Sequence, residues 1–225
     1  MPKRISGKKK QFVVIGLGSF GGSIAKELYH LGCDVLAIDK DIEKVKKYIP
    51  YTMHSVQVDS TDEEALNSLG VSNFDHVVVA IGDNIQSSVL TTLILKELGI
   101  EKVWVKAENI HHQKVLSKIG ADLVIHPESD MGLRVAHNMA SEKIVEYINL
   151  SNEYSIVELV ASKKIHNKSL LELDLRAKFG VTILAIKTEE GINVSPLPDD
   201  IIPEGSILVT MGSNQSIRKF EEKGI

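Results

Sequence analysis

Six short runs at 12–15, 35–38, 55–58, 76–81, 103–105 and 123–125 are rich in Val and Ile and mostly apolar on both faces. Strands with that pattern have no face to turn to water, so they predict the interior of a parallel sheet covered on both sides. The stretches between them, 21–31, 42–48, 62–69, 85–98 and 110–119, read as helices, each ending near a Gly or Pro. Strands alternating with helices mean βαβ units, and the predicted fold is α/β: a Rossmann-type doubly wound sheet.

After the sixth run the rhythm changes. A long amphipathic stretch covers 130–148. Behind it, strand-like runs at 155–161, 181–186 and 206–211 mix with a short helix over 169–179 and a closing helix over 214–222. We place a boundary within 141–153, which divides the chain into a basic tail 1–10, a dinucleotide-type domain 11–145 and a small α+β lobe 146–225.

The turn after the first strand is Gly16-Leu17-Gly18-Ser19-Phe20-Gly21. Such a glycine pattern is weak alone, but here it lies between a strand and a helix, and a second strand ends in Asp39-Lys40, with Asp39 18 residues beyond Gly21. Gly16 permits the tight turn, Gly18 lets backbone approach a pyrophosphate, and Gly21 allows close helix–strand packing. The helix start then offers N–H groups and partial positive charge to phosphates. Asp39 suits the hydroxyls of a ribose and disfavours a 2′-phosphate, so NAD(H) or an adenine nucleotide is expected before NADP. The alternative is a plain tight turn with Asp39 as a helix cap.

Further candidates stand where the crevice of an open sheet must be, at the carboxyl ends of strands: Asp59 and Ser60 after the third, Ile81, Gly82 and Asn84 after the fourth, and Lys106 after the fifth. For each, an ordinary cap or a surface charge is the competing reading.

The chemistry of an enzyme is harder to find. A short-chain dehydrogenase needs Tyr with Lys four residues on, and the positions four beyond Tyr29, Tyr48, Tyr51, Tyr147 and Tyr154 are Cys33, Thr52, Ser55, Ser151 and Glu158. A lobe of about 75 residues is small for a substrate domain that closes a cleft. His111 and His112 are helix neighbours pointing about 100° apart, which does not make a metal face. Cys33 has no second Cys to pair with, as expected of a chain in a reducing cytoplasm. No apolar run approaches the ~20 residues of a membrane helix.

Charge speaks against nucleic acid. Lys plus Arg number 26 and Asp plus Glu 30, for a net −4. Lys3, Arg4, Lys8, Lys9 and Lys10 supply five of the positive charges, so residues 11–225 carry 21 − 30 = −9. Phosphate-backbone binding needs the opposite balance. The tail itself reads as a solvated arm, or as a segment drawn to an anionic surface or acidic partner.

The motifs together resemble a known family. Gln-Phe-Val-Val-Ile-Gly-Leu-Gly at 11–18, Ala-Ile-Asp at 37–39, Val-Asp-Ser-Thr-Asp-Glu at 58–63, Val-Val-Ala-Ile-Gly at 78–82, Val-Lys-Ala-Glu-Asn at 105–109 and Ile-Gly-Ala-Asp followed by His-Pro-Glu-Ser-Asp-Met at 119–131 are similar to the RCK regulatory subunits of Ktr-type potassium uptake systems. Leu-Asp-Leu-Arg-Ala-Lys-Phe-Gly at 173–180 resembles the family's C-terminal lobe, and the likeness runs from about residue 11 to 222.

The resemblance implies a non-enzymatic, cytoplasmic gatekeeper. Members form a homo-octamer built from dimers, docked beneath a membrane potassium-translocating subunit, and ATP or ADP in the front domain changes the ring. By the same resemblance the glycine loop, Asp39, Ser60, Gly82 and Lys106 belong to the nucleotide pocket. Glu128 then helps hold a divalent cation, Mg²⁺ or Ca²⁺, near the terminal phosphate; read alone, Glu128 is a helix cap. Related rear lobes bind cyclic di-AMP, and the matching positions are Leu175, Arg176, Ala177, Thr182, Ile183 and Pro196. There Arg176 suits a phosphate, or else carbonyls at a helix end, and Thr182 replaces a frequent Asn. One departure is Ser19, where the family commonly has an Arg that reaches a neighbour's γ-phosphate. A small NAD-dependent oxidoreductase is the competing function.

Overall fold

The computed structural model describes residues 9–141, 143–223 and 225, so the tail positions 1–8 lie outside the described residues. The chain forms two compact units, one ending at Pro127 and the other beginning at Glu128.

In the front unit, strands β1 (Gln11–Ile15), β2 (Asp34–Asp39), β3 (His54–Gln57), β4 (His76–Val79), β5 (Val103–Lys106) and β6 (Leu123–Ile125) alternate with helices α1 (Ser19–His30), α2 (Ile42–Tyr48), α3 (Glu63–Ser68), α4 (Ile85–Glu97) and α5 (Ile110–Ile119). All strand pairs are parallel, in the order β3-β2-β1-β4-β5-β6. The doubly wound sheet is therefore as predicted, and its order reverses between β1 and β4. The double-faced apolar pattern has its reason in two cores. Val13, Ile15, Val77, Val79, Val103 and Val105 pack with Leu95 and Leu116 on one side. Val14, Val35 and Ala37 pack with Ala25, Val45 and Tyr48 on the other.

Helix starts follow local chemistry. Asp41, Asp62, Asn84 and Asn109 cap α2, α3, α4 and α5, each side chain accepting from a first-turn N–H. The fourth strand stops at Val79, two residues short of the predicted run to 81, and α1 starts at Ser19 rather than 21.

The rear unit comprises α6 (Pro127–Ala140, its first residue closing the front unit), β7 (Ile144–Asn149), β8 (Tyr154–Val160), α7 (Leu170–Leu173), α8 (Leu175–Phe179), β9 (Val181–Thr188), β10 (Gly191–Asn193), β11 (Ile207–Ser213) and α9 (Asn214–Lys223). Its sheet is antiparallel, β10-β9-β11-β8-β7, over a core that includes Val157, Leu159, Leu208 and Phe220.

Three details of the rear unit depart from the sequence reading. The stretch 130–148 is not one amphipathic element: the helix ends at Ala140, and Ile144–Asn149 pairs with β8 as a strand. The helix expected over 169–179 is two short helices, because Asp174 adopts φ 43° between them. Strand β10 had no counterpart in the reading; it forms a hairpin with β9.

Candidate functional site

The glycine loop lies where the sheet order reverses, at the carboxyl ends of the strands. The Gly16 N–H donates to the Ile38 carbonyl across 2.8 Å, tying the turn to β2. Gly16 has φ +92°, and a Cβ there would stand 2.9 Å from the Ala80 backbone beyond β4. At Gly21 a Cβ would come within 1.9 Å of the Gly16 carbonyl oxygen, so helix and turn meet backbone to backbone. Gly18 is different: a Cβ there would meet nothing within 4 Å. The first two glycines named are required by protein packing, whereas Gly18 keeps an open surface bare of side chain.

Gly18 is also the N-cap of α1, and it brings no side chain to the first-turn N–H groups. The four other front-unit helices are capped by Asp or Asn. Together with the helix dipole, this leaves α1 a start suited to an anion. Leu17 contributes main chain only, since its side chain is buried in the second core. Ser19 is exposed and Phe20 half-buried.

Asp39, 7% exposed, receives the Leu17 N–H at Oδ2 across 2.6 Å and the Asp41 N–H at Oδ1 across 2.9 Å. The helix cap that competed with the ribose reading falls to Asp41. Lys44, which sequence reasoning missed, places Nζ 4.0 Å from Asp39 Oδ2; its only signal was a position in the turn after Asp39. Lys40 is exposed, and its carbonyl accepts from Gln57 Nε2.

Asp59 folds back on Thr61. The Thr61 N–H and hydroxyl hold its carboxyl below the ordinary carboxylate value, against partial burial and with help from Lys40. Ser60 is buried with its hydroxyl 2.8 Å from that of Thr91 on α4, so its side chain is engaged with the protein. Asn84 spends its side-chain oxygen on the Ser87 N–H. Ile81 packs against the front core. Gly82 and Lys106 are brought together: a Cβ on Gly82 would lie 3.0 Å from Lys106 Nζ, so that ammonium rests against bare backbone. The loop, Asp39, Gly82 and Lys106 thus share the carboxyl edge of the sheet.

Glu128 is exposed in the first turn of α6, within the rear unit. No cluster of three His, Cys, Asp or Glu suited to a metal occurs among the described residues. A single carboxylate is a fitting donor for a hard cation such as Mg²⁺ or Ca²⁺ only where phosphate oxygens and water complete the shell.

In the rear unit Leu175 is buried in the core, so its side chain packs rather than faces a ligand. Arg176 and Ala177 on α8 and Thr182 on β9 are exposed; Ile183 and Pro196 are half-buried. The Arg176 carbonyl accepts the Gly180 N–H that closes the helix.

Residues 12–127 match the TrkA-N domain and residues 154–223 the TrkA-C domain. Ktr system potassium uptake protein A of Bacillus subtilis is 55% identical over 218 residues, covering 97% of this chain and 98% of that protein. Ktr system potassium uptake protein C of the same organism is 53% identical over 215 residues, covering 96% and 97%. Among solved structures, the GsuK channel bound to NAD superposes with a TM-score of 0.53 at 20% identity, over 96% of this chain and 38% of the channel, a likeness of fold alone.

Proposed function

The chain belongs to the TrkA-N/TrkA-C family that includes the regulatory subunits of Ktr potassium uptake systems, and on that premise we propose that it gates a membrane potassium-translocating subunit in response to nucleotides. The two Bacillus subtilis relatives are by name potassium uptake proteins of Ktr systems. No described helix is long and apolar enough to cross a membrane. In this reading the chain acts on transport from the cytoplasmic side, through its partner.

ATP and ADP are the front-unit ligands in this reading. The carrying observation is the uncapped start of α1 beneath the open Gly18 surface, in a unit whose helices α2–α5 are side-chain capped. Phosphates would take the first-turn N–H groups, with Lys106 beside Gly82 as the cation, and Asp39 would hold the ribose. Asp39 also admits NAD(H). Glu128 would supply one oxygen to a Mg²⁺ or Ca²⁺ near the terminal phosphate. Cyclic di-AMP is the proposed rear-lobe ligand, with exposed Arg176 offering its fork to phosphate. The working assembly is a homo-octamer built from dimers. A nucleotide gates such a ring only by binding two of its states unequally.

Thermal unfolding with ATP, ADP, NAD⁺, NADH and cyclic di-AMP, with and without Mg²⁺, tests the reading. A ligand at 100 times its dissociation constant stabilises by about 2.7 kcal/mol, roughly 5–10 °C here. Shifts with ATP, ADP and cyclic di-AMP support it, the first two depending on Mg²⁺. A large shift with NADH alone would overturn it in favour of an oxidoreductase.

A further inference from the structure

The turn between β5 and α5 is locked from both of its sides. Asn109 Oδ1 accepts the His111 and His112 N–H groups, each across 3.0 Å. The His112 side chain reaches back, and its Nδ1 accepts the Glu108 N–H across 3.2 Å. The two residues cap one another's backbone, in the manner of a capping box. One position earlier, the Ala107 N–H donates to the Ile125 carbonyl across 2.9 Å. This pinned segment begins directly after Lys106, the last residue of β5, whose Nζ lies against Gly82.

A side chain at position 112 need only offer an acceptor, yet the residue is a histidine that is 3% exposed. Accepting at Nδ1 puts the ring proton on Nε2, and Nε2 is buried with no hydrogen-bond partner among the described residues. The bond to Glu108 is therefore the polar interaction that the ring contributes. An imidazole forfeits it on taking a second proton, because both nitrogens then donate and an N–H would face an N–H. Two titratable groups bear on the ring, Glu108 in the turn and His126 just beyond β6. Burial pushes the imidazole below the ordinary histidine value, against the pull of Glu108 and with help from His126. Folding thus favours the neutral ring, and the stability it contributes is lost as pH falls.

We propose that His112 is a positioning residue of the nucleotide site: its neutral ring fixes the turn that carries Lys106, and a proton taken up at Nδ1 releases that turn and weakens nucleotide binding. The inference rests on the nucleotide reading of the front unit and adds to it a residue that need not touch the ligand. His112 acts through the Glu108 N–H on the main chain two residues beyond Lys106, and so on where the ammonium stands relative to the phosphates. Binding then becomes sensitive to acid through one buried ring.

Calorimetric titration of ADP into the full chain, His112→Leu and His112→Gln, at steps from about pH 7.5 to about pH 5, tests it. Leu offers no acceptor, whereas Gln offers a carbonyl that does not titrate in this range. At the upper pH the Leu variant should bind at least about fivefold more weakly than the parent, and the Gln variant should recover most of that loss. On acidification the parent should approach the Leu variant, while the gap between the Gln and Leu variants holds. Ratios between proteins cancel the protonation of ADP and of every group the three share, His126 included. A gap between parent and Leu variant that is absent at the upper pH, or constant throughout, overturns the proposal and leaves the nucleotide reading standing. A parent that does not bind ADP at the upper pH overturns both. If the variants do not fold, deuterium exchange of the parent alone decides, corrected for its intrinsic pH dependence. Exchange over 106–112 should rise on acidification while β1 stays protected, and unchanged protection over 106–112 overturns the proposal.

Discussion

The Leu17 N–H donates to Asp39 Oδ2 across 2.6 Å, so the residue expected to meet a ribose already holds the glycine loop in place. The other carboxylate oxygen takes the Asp41 N–H, which fixes the start of α2. One buried acid thus preorganises two turns at the crevice, and each of its oxygens keeps a lone pair for a ligand hydroxyl.

Asp39→Asn replaces one acceptor by an NH₂ group facing a main-chain donor. A buried donor left unpaired costs about 1–3 kcal/mol. We expect urea unfolding to register a loss in that range and calorimetry to show ATP and ADP binding at least about tenfold weaker. Unchanged nucleotide affinity would remove Asp39 from the site.

Glycine positions in the loop should separate folding from binding. Gly18→Ala adds a methyl group to open space, so stability should move by less than about 1 kcal/mol, while the thermal shift with ADP disappears. In Gly21→Ala the new Cβ meets the Gly16 carbonyl at 1.9 Å and Ala80 Cβ at 2.8 Å. That obstacle is partly backbone, so the loss should reach about 3 kcal/mol or more. Denaturation and ligand shifts on the two variants check both statements, and a Gly18→Ala protein that binds ADP normally contradicts the first.

The pattern of successes in the sequence reading follows how local each signal is. A glycine that must avoid a backbone oxygen, or an Asx capping its own helix, is specified within a few residues, and the front unit is built from such signals. Ile144–Asn149 is not: Ile-Val-Glu-Tyr-Ile-Asn continues a helical pattern as readily as it alternates, and the decision comes from pairing Tyr147 with Val157. Asp174 in the left-handed region was foreshadowed only by its residue type, since Asp and Asn visit that region more readily than most. The involvement of Ser60 with Thr91 spans 31 residues, a distance that no motif spacing encodes.

Acid should weaken the front unit through Asp122. Its Oδ2 accepts from the Val103 N–H at 2.8 Å and from Lys96 Nζ at 3.0 Å, and Lys96 also donates to the Ile100 carbonyl. Burial pushes this carboxyl up, but the Val103 N–H and the Lys96 ammonium outweigh it and hold the carboxyl below the ordinary aspartate value. A depressed folded value means stability that is present above the unfolded value and lost as pH falls through the folded one. Because the group is partly exposed, the effect is about 1 kcal/mol after solvent screening. Asp122→Asn should therefore be less stable than the parent at pH 7, and the difference should shrink as pH falls through the range in which the parent's carboxyl takes up its proton. A difference that stays constant until the parent itself unfolds in acid would contradict this assignment.

Ser19 bears on how sharply the protein tells ATP from ADP. It is the first residue of α1, exposed, at the helix start that faces the phosphates in the proposed site. A serine there is too short to reach far from its own turn, whereas an arginine carries a cation several ångströms outward toward a γ-phosphate. A hydrogen bond to a charged group contributes about 1.5–3 kcal/mol, or roughly ten- to a hundredfold in affinity. The contribution falls on ATP alone, since ADP has no third phosphate to receive it. Ser19→Arg should raise the ratio of ATP to ADP affinity by that factor and leave ADP binding within about threefold of the parent. Calorimetric titration of both nucleotides into both proteins, with Mg²⁺ present, measures the ratio directly. If the ratio does not move, discrimination does not pass through this position, and the parent's preference must be set by the backbone cradle and Lys106.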